Sequence, residues 1–315
     1  MTVTVPRTRP RAARRAATGP PGRRPRRGHG ISYAFLLPAG ALYAVFILYP
    51  LAESVFLSLT SWDGAQPEKE FVGLANFERM LGDELFWRSL GHNVVWVVLG
   101  TAATMAVAML LAMLVWSRPR GFTAFRTLYF MPQVLPAVIV GIVWSWIYNP
   151  AFGILNRALE AVGLESWARG WLGDPDLALY AVLAAAVWAQ IGLAFVIFTA
   201  ALQNVDTDLI DAARVDGANA WQRFRNVVVP QLANAITLVT VLLLTHGFQA
   251  FDHVWIMTKG GPDDSTQLIA TYTYQKAFME NEVGYGATLS LVLTVISLIV
   301  SVAVVRVRER ERISL

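Results

Sequence analysis

The sequence predicts an all-α, polytopic membrane protein with six transmembrane helices and both termini in the cytoplasm. Three observations predict it. The 315 residues are 55% hydrophobic and only 15% charged, with a mean hydropathy of +0.47; a soluble domain carries about a quarter charged residues. The apolar residues are collected into six runs free of Asp, Glu, Lys and Arg: 31–52, 89–117, 127–156, 177–205, 226–251 and 283–305. Each exceeds the roughly 20 residues a helix needs to cross about 30 Å of hydrocarbon. The basic residues then fall on alternate sides of these runs. Nineteen of the 26 lie before the first run, after the second, after the fourth and after the sixth. Basic flanks stay cytoplasmic, so an even number of spans with both ends inside fits every loop.

The elements follow in order. Residues 1–30 hold nine Arg and no acid in a Pro-, Gly- and Ala-rich background. That composition reads as a disordered cytoplasmic tail, set against anionic lipid or a specific partner. A cleaved leader is not expected, because the apolar run continues well past Ala39-Gly40-Ala41. The loop around 61–88 is turn-rich, with Asp63-Gly64 and Pro67, and its Phe71, Leu74, Phe77 and Met80 suggest a short surface helix. The third run begins near Met131-Pro132 and contains Pro136, tolerated where neighbours re-satisfy the backbone. In the segment 149–176, Trp167 and Trp171 read as interface anchors rather than a ligand cage. Beyond the sixth run, 309–315 reads as a cytoplasmic C-terminal tail.

Several chemistries are excluded. There is no Cys, and His29, His92, His246 and His253 have no metal-motif spacing, so no metal centre is expected. No segment matches a phosphate-cradling loop, and Lys69, Lys259 and Lys276 all belong to loops assigned outside. The chain is not expected to be an enzyme. If ATP drives it, ATP and Mg sit on partner subunits. The net charge of +4 is a matter of topology, not of nucleic-acid binding.

The loop of about 206–228 is the most informative stretch. It reads as a short helix, a break at Gly217, a second short helix, and Pro230 in the first turn of a membrane helix. Asp208 or Asp211 suits the positive N-terminus of the first helix. Ala212 and Ala213 form a small-residue face, and Gly217 suits a left-handed C-terminal position. On these residues alone, the loop is equally a simple connector between two spans.

The segment Asp211-Ala212-Ala213-x-x-Asp216-Gly217-Ala218, with Phe224 and Pro230, resembles the E-A-A-x-x-D-G-A coupling motif. That motif marks the membrane subunits of binding-protein-dependent ABC importers. Asp replaces the usual Glu at 211, and Asp206 stands near a commonly occurring Pro. The resemblance runs from about 31 to 308 and includes Tyr49-Pro50, Asn76-Phe77, Leu135-Pro136 and Asn149-Pro150. Its most specific part is 251–262, similar to the F-D-x-x-x-x-x-T-x-G-G-P signature of the first permease of carbohydrate importers. The resemblance implies the type I importer permease fold and transport of a sugar or related carbohydrate. It implies three kinds of partner beside lipid: a second homologous permease, a dimer of cytoplasmic ATP-binding subunits, and an extracytoplasmic substrate-binding protein.

It also implies a solute pathway. Counting from the motifs places Trp188 and Gln190 in the fourth span, and Leu243, Thr245, His246, Gly247, Gln249 and Ala250 in the fifth, near the solute. Trp188 offers a ring face for stacking, and Thr245, His246 and Gln249 offer partners for hydroxyls. The same residues also fit as core and as interhelical hydrogen bonds. Asp252, Gly260, Gly261 and Pro262 are expected at the outer gate, followed by a short helix over 265–278 capped by Ser265 or Thr266. Two other readings stand beside this one. A proton-coupled secondary transporter would use His246 and Asp252 as a relay, and an ABC importer of a non-sugar solute would share the coupling loop.

Overall fold

The computed structural model describes residues 29–116 and 121–313. The Arg-rich stretch up to residue 28, and Arg118 and Arg120, lie outside the described residues. The chain divides after Pro50 into two units. The first is helical where described: α1 (His29–Tyr43), a π-helical turn over Ala44–Leu48, and the start of α2 (Tyr49–Leu57). Phe35–Leu57 is apolar and long enough to cross a membrane. Its side chains from Phe35 to Tyr49 are all exposed. A helix apolar on every face belongs against lipid or another subunit.

In the second unit, the rest of α2 is followed by the expected surface helix, α3 (Ala75–Leu81). Asn76 anchors it, its Nδ2 donating to the carbonyls of Ser58 (3.0 Å) and Thr60 (2.8 Å). Asp83 caps the long α4 (Glu84–Leu114), its Oδ1 accepting the Leu85 N–H at 2.9 Å and the Phe86 N–H at 3.4 Å.

The third run is not one helix. It forms α5 (Phe122–Val134) and α6 (Ala137–Ile147), bent by 99°. Leu135 is extended at ψ 135°, as a residue before proline must be. After α7 (Ile154–Ala161) and a 3-10 turn at Glu165–Trp167 comes α8 (Ala178–Leu202). Then follow α9 (Thr207–Val215), α10 (Ala220–Arg223), a π turn at Phe224–Val228, α11 (Val229–Gln231) and α12 (Ala233–Phe248). A 74° bend separates α11 from α12. Pro230 sits in the first turn of α11, as the sequence pointed, and the bend then separates that short helix from α12.

The last elements are α13 (Asp252–Met257), α14 (Ile269–Tyr274), a π turn at Gln275–Met279 and α15 (Val283–Ile313). The helix expected over 265–278 starts only at Ile269. Thr266 is not its cap: its hydroxyl donates to the Gly261 carbonyl (2.9 Å) and shares a hydrogen bond with Thr258 Oγ1 (2.8 Å). Asn93 Oδ1, reaching from α4, accepts the Ile269 N–H at 2.8 Å instead. The tail expected from 309 is helical as far as Ile313.

Among the described residues there is no strand, only the bridge Thr60–Phe71. Four helices are long and apolar enough to span a membrane, or six if each bent pair counts as one span. In the second unit α4 packs along α8, flanked by α5 and α12. The buried centre sets Ala108, Ala112 and Ala194 against Phe195, Phe198, Leu202 and Val239. Small residues on facing helices permit the close approach that membrane packing requires, since lipid tails supply no hydrophobic drive of their own.

Candidate coupling loop and solute pathway

Capping builds the loop between α8 and α12. Asp206 opens α9, its carboxylate accepting the Asp208 N–H at 2.9 Å. The helix closes in a Schellman turn. The Ala218 N–H donates to the Ala213 carbonyl (2.9 Å) and the Gly217 N–H to the Arg214 carbonyl (3.1 Å). Gly217 has φ +82°, the left-handed position its sequence context predicted. Asn219 then opens α10 with a capping box. Its side chain accepts the Gln222 N–H (2.9 Å), and Gln222 Oε1 accepts the Asn219 N–H (2.8 Å).

Ile210 and Phe224 tie this loop to the core around Phe195 and Leu202. Leu209, Val215 and Trp221 are 52%, 88% and 64% exposed, with the Trp221 ring 5.6 Å from that of Phe224. Asp211 pairs with Arg214 at 3.0 Å with both side chains exposed, an arrangement that orients more than it stabilises. Ala212 and Asp216 are exposed, and Ala213 and Ala218 are half-buried.

The eight candidate pathway residues do not come together. Gln190, Leu243 and Gly247 line a small pocket between α4, α8 and α12, with Thr101 and Thr104. Its free volume is about 10 Å³, room for one water at most, and Thr101 Oγ1 is buried there without a partner. Trp188 lies elsewhere, in a cleft of about 450 Å³ against Tyr129 and Pro132 of α5, with its ring 5.8 Å from that of Trp144. Thr245 and Gln249 line a groove of about 570 Å³. His246 is exposed, and Ala250 packs beside Val254 and Leu268.

The groove carries residues that sequence reasoning missed. Its far wall is α15, which contributes Ser290, Thr294, Ser297 and Ser301, and α14 adds Thr273. The intervals of four, three and four put the α15 hydroxyls on one face. The signal is present as hydroxyls at helical spacing in an otherwise apolar run, but their relation to α12 is not.

At the opposite end from the coupling loop, the Gly-Gly-Pro turn is locked from within. The Gly261 N–H donates to the Thr258 carbonyl at 3.0 Å. Gly260, at φ +92°, is buried where a Cβ would stand 1.9 Å from Gln267 Oε1. The Pro262 carbonyl accepts the Ser265 N–H at 2.9 Å. Asp252 is exposed in the first turn of α13, and among the described residues no hydrogen bond or ion pair joins it to His246.

A carboxylate staple holds this end together. Besides capping α4, Asp83 accepts the phenols of Tyr272 and Tyr285 through Oδ2, each at 2.5 Å. Arg79 lies over the Tyr285 ring at 4.2 Å and pairs with Glu282 at 2.8 Å. Burial pushes the Asp83 carboxyl up, but the two phenols and the Phe86 and Leu85 amides outweigh it and hold it below its ordinary value. Burial, then the hydrogen bond to Asp83, pushes the Tyr272 phenol up.

Bent spans around an alanine-rich core, an apolar loop at one end and a hydroxyl-lined groove define a polytopic membrane permease. The chain belongs to the family of binding-protein-dependent transport system inner membrane components, whose sequence pattern matches residues 104–313. It is similar to a probable ABC transporter permease of Pyrococcus horikoshii, 32% identical over 84% of this chain and 91% of the relative. It is likewise similar to a probable starch degradation products transport system permease of Thermoanaerobacterium thermosulfurigenes, 30% identical over 91% and 97%. Its fold matches a chain of a bacterial ABC transporter involved in import of the polysaccharide alginate. That match has a TM-score of 0.74 at 20% identity and covers 89% of this chain and 96% of the other. The chain is a membrane permease subunit of an ABC importer, a multi-pass protein of the bacterial type of cytoplasmic membrane.

Proposed function

We propose that this chain forms half of the translocation pathway for a carbohydrate, with six spans and both termini cytoplasmic. With α5–α6 and α11–α12 each taken as one span, the loop 206–228 lies in the cytoplasm and the Gly-Gly-Pro turn lies outside. Residues 31–308 form the permease domain, and 1–30 forms a basic tail against the lipid surface. The other half of the pathway is a second homologous permease. Two ATP-binding subunits carry ATP and Mg, and an extracytoplasmic binding protein delivers the solute.

The observation that carries this reading is the exposure of Leu209, Val215 and Trp221 on a loop rigidly capped at every turn. A cytoplasmic loop has no lipid to cover such side chains, and a cleft on the ATPase would. Asp211, Ala212, Ala213, Asp216, Gly217 and Ala218 then shape the docking helix, while Phe224 and Pro230 join it to the spans. Closure of the ATPase dimer moves the loop as a body because the caps leave it no internal slack.

The groove between α12 and α15 is the pathway lining this reading favours. Hydroxyls and the Gln249 amide facing an open groove are costly against lipid and useful against a polyol. The relatives' names support a carbohydrate, and the same machinery would carry another solute if the groove's partner differed. Val215→Asp and Trp221→Asp test the assignment. Both should insert normally yet fail to co-purify with the ATPase or support uptake. Wild-type co-purification and uptake in both would reject the docking role.

A further inference from the structure

We propose that the aromatic cluster Phe251, Trp255, Tyr274 and Phe278 is an outer subsite that stacks on a pyranose ring of the transported carbohydrate. The proposal rests on the carbohydrate reading above and assigns to that pathway a station beyond the groove. Phe251 and Trp255 lie stacked, with centroids 5.6 Å apart and an interplanar angle of 15°. Tyr274 closes on both, at 5.3 Å and 4.7 Å, and Phe278 continues the row at 5.2 Å. Phe278 is 70% exposed.

Two features set this cluster apart from core packing. The Trp255 indole N–H and the Tyr274 hydroxyl make no hydrogen bond among the described residues, and both side chains are part-exposed. Flat apolar faces beside free donors match a sugar, whose ring presents C–H on its faces and hydroxyls at its edge. Position supplies the second argument. Ala270 and Thr273 line the groove, and Tyr274 is one helical turn beyond Ala270 on the same side of α14. Gln249, on the opposite wall, is two residues from Phe251. The rings therefore flank the mouth of the hydroxyl groove. A sugar leaving the rings would meet Thr273, Ser290 and Gln249 next, exchanging stacking for hydrogen bonds.

The chain lacks cysteine, so Met279→Cys introduces a single thiol beside the rings but outside the cluster, at a position that is 56% exposed. The importer is assembled with its partner permease, ATPase and binding protein in liposomes. Uptake of lactose, maltotriose, cellotriose and chitotriose is measured first. Uptake of none of these, with import of an amino acid or other non-sugar solute, overturns both the carbohydrate reading and this subsite. With the sugar that is carried, maleimide labelling of the introduced thiol from outside should slow about three- to tenfold, as expected for one stacking contact. The protection should be lost when Trp255→Leu is added, while Trp255→Phe should retain most of it. Sugar uptake with an unprotected thiol makes the rings a lipid-interface belt and overturns the subsite alone. Protection that survives Trp255→Leu belongs to the docked binding protein and overturns it equally.

Discussion

Replacing Asp83 with Ala should be among the most damaging single changes at the outer end of the second unit. The carboxylate does two jobs through different oxygens. One caps α4, and loss of such a cap costs about 1 kcal/mol. The other accepts two phenols, and hydrogen bonds to a charged group contribute about 1.5–3 kcal/mol each. Tyr272 and Tyr285 are both only 2% exposed, so water replaces the lost acceptor poorly. Discounting for the part-exposed carboxylate, the total is about 3–5 kcal/mol. The temperature at which the monodisperse species is lost in detergent should then fall by about 5–10 °C.

A cycle separates the two jobs. In a Tyr272→Phe, Tyr285→Phe background, Asp83→Ala should cost only the cap, about 1 kcal/mol. Equal losses in both backgrounds would refute the staple. The pH dependence has a defined sign. Because the folded carboxyl is held below its ordinary value, its contribution is complete above the unfolded value of about 3.9 and disappears as pH falls through the folded one. Asp83→Asn, which keeps a capping oxygen, should therefore trail wild type by a constant margin from pH 8 to pH 5, and the gap should close below about pH 4.

The remaining predictions concern function. Gly217→Leu should weaken coupling by a small factor rather than abolish it: a Cβ there meets nothing within 4 Å, and the penalty is the left-handed φ alone, about 1 kcal/mol. Uptake and ATPase co-purification identical to wild type would remove Gly217 from the mechanism. Gly260→Ala should damage the outer turn far more, because the methyl runs into Gln267, and assembly yield should drop where Gly261→Ala is tolerated. The purified chain alone should hydrolyse no ATP, with activity appearing only when ATP-binding subunits and the second permease are added; robust turnover by the chain alone contradicts the partner assignment. Asp263→Cys, at an exposed position, should label from outside only, and labelling from the cytoplasmic side would invert the proposed topology. Gln267 is unsuited to that test, being fully buried with its amide donating to Gln275 at 2.8 Å.

What is legible in the sequence depends on how locally each feature is encoded. The apolar runs carry their own length, and helix formation in lipid follows from backbone satisfaction alone. Gly217 is legible for the same reason, since a left-handed φ between two polar helices needs no distant partner. The capping box at Asn219 and Gln222 is equally local, yet the coupling motif beside it directs attention to Asp211 instead. Pro136 reads in sequence as a tolerated residue within a span. The 99° bend shows instead that its restriction of Leu135 prevails, the Pro132 carbonyl accepting the Leu135 N–H at 3.2 Å in place of the helical bond.

The features that stay hidden are those set by pairs of elements far apart in the chain. Ser265 and Thr266 are acceptable caps by type, yet α14 begins where Asn93 of α4 satisfies its first N–H, 176 residues away. Asp83 gives no sign in sequence of its two tyrosine partners, 189 and 202 residues further on. The pathway shows the same limit most clearly. Counting along helices assigns depth to Thr245 and Gln249, but depth is not azimuth. Residues two apart on α8 and on α12 face three different spaces. Only the packing of α12 against α15 reveals that Ser290, Thr294 and Ser297 share a groove with Gln249. Polar side chains in a membrane span are informative less by their identity than by what stands across from them. The α15 hydroxyls acquire a proposed role because the facing wall also carries groups that can bind a polyol.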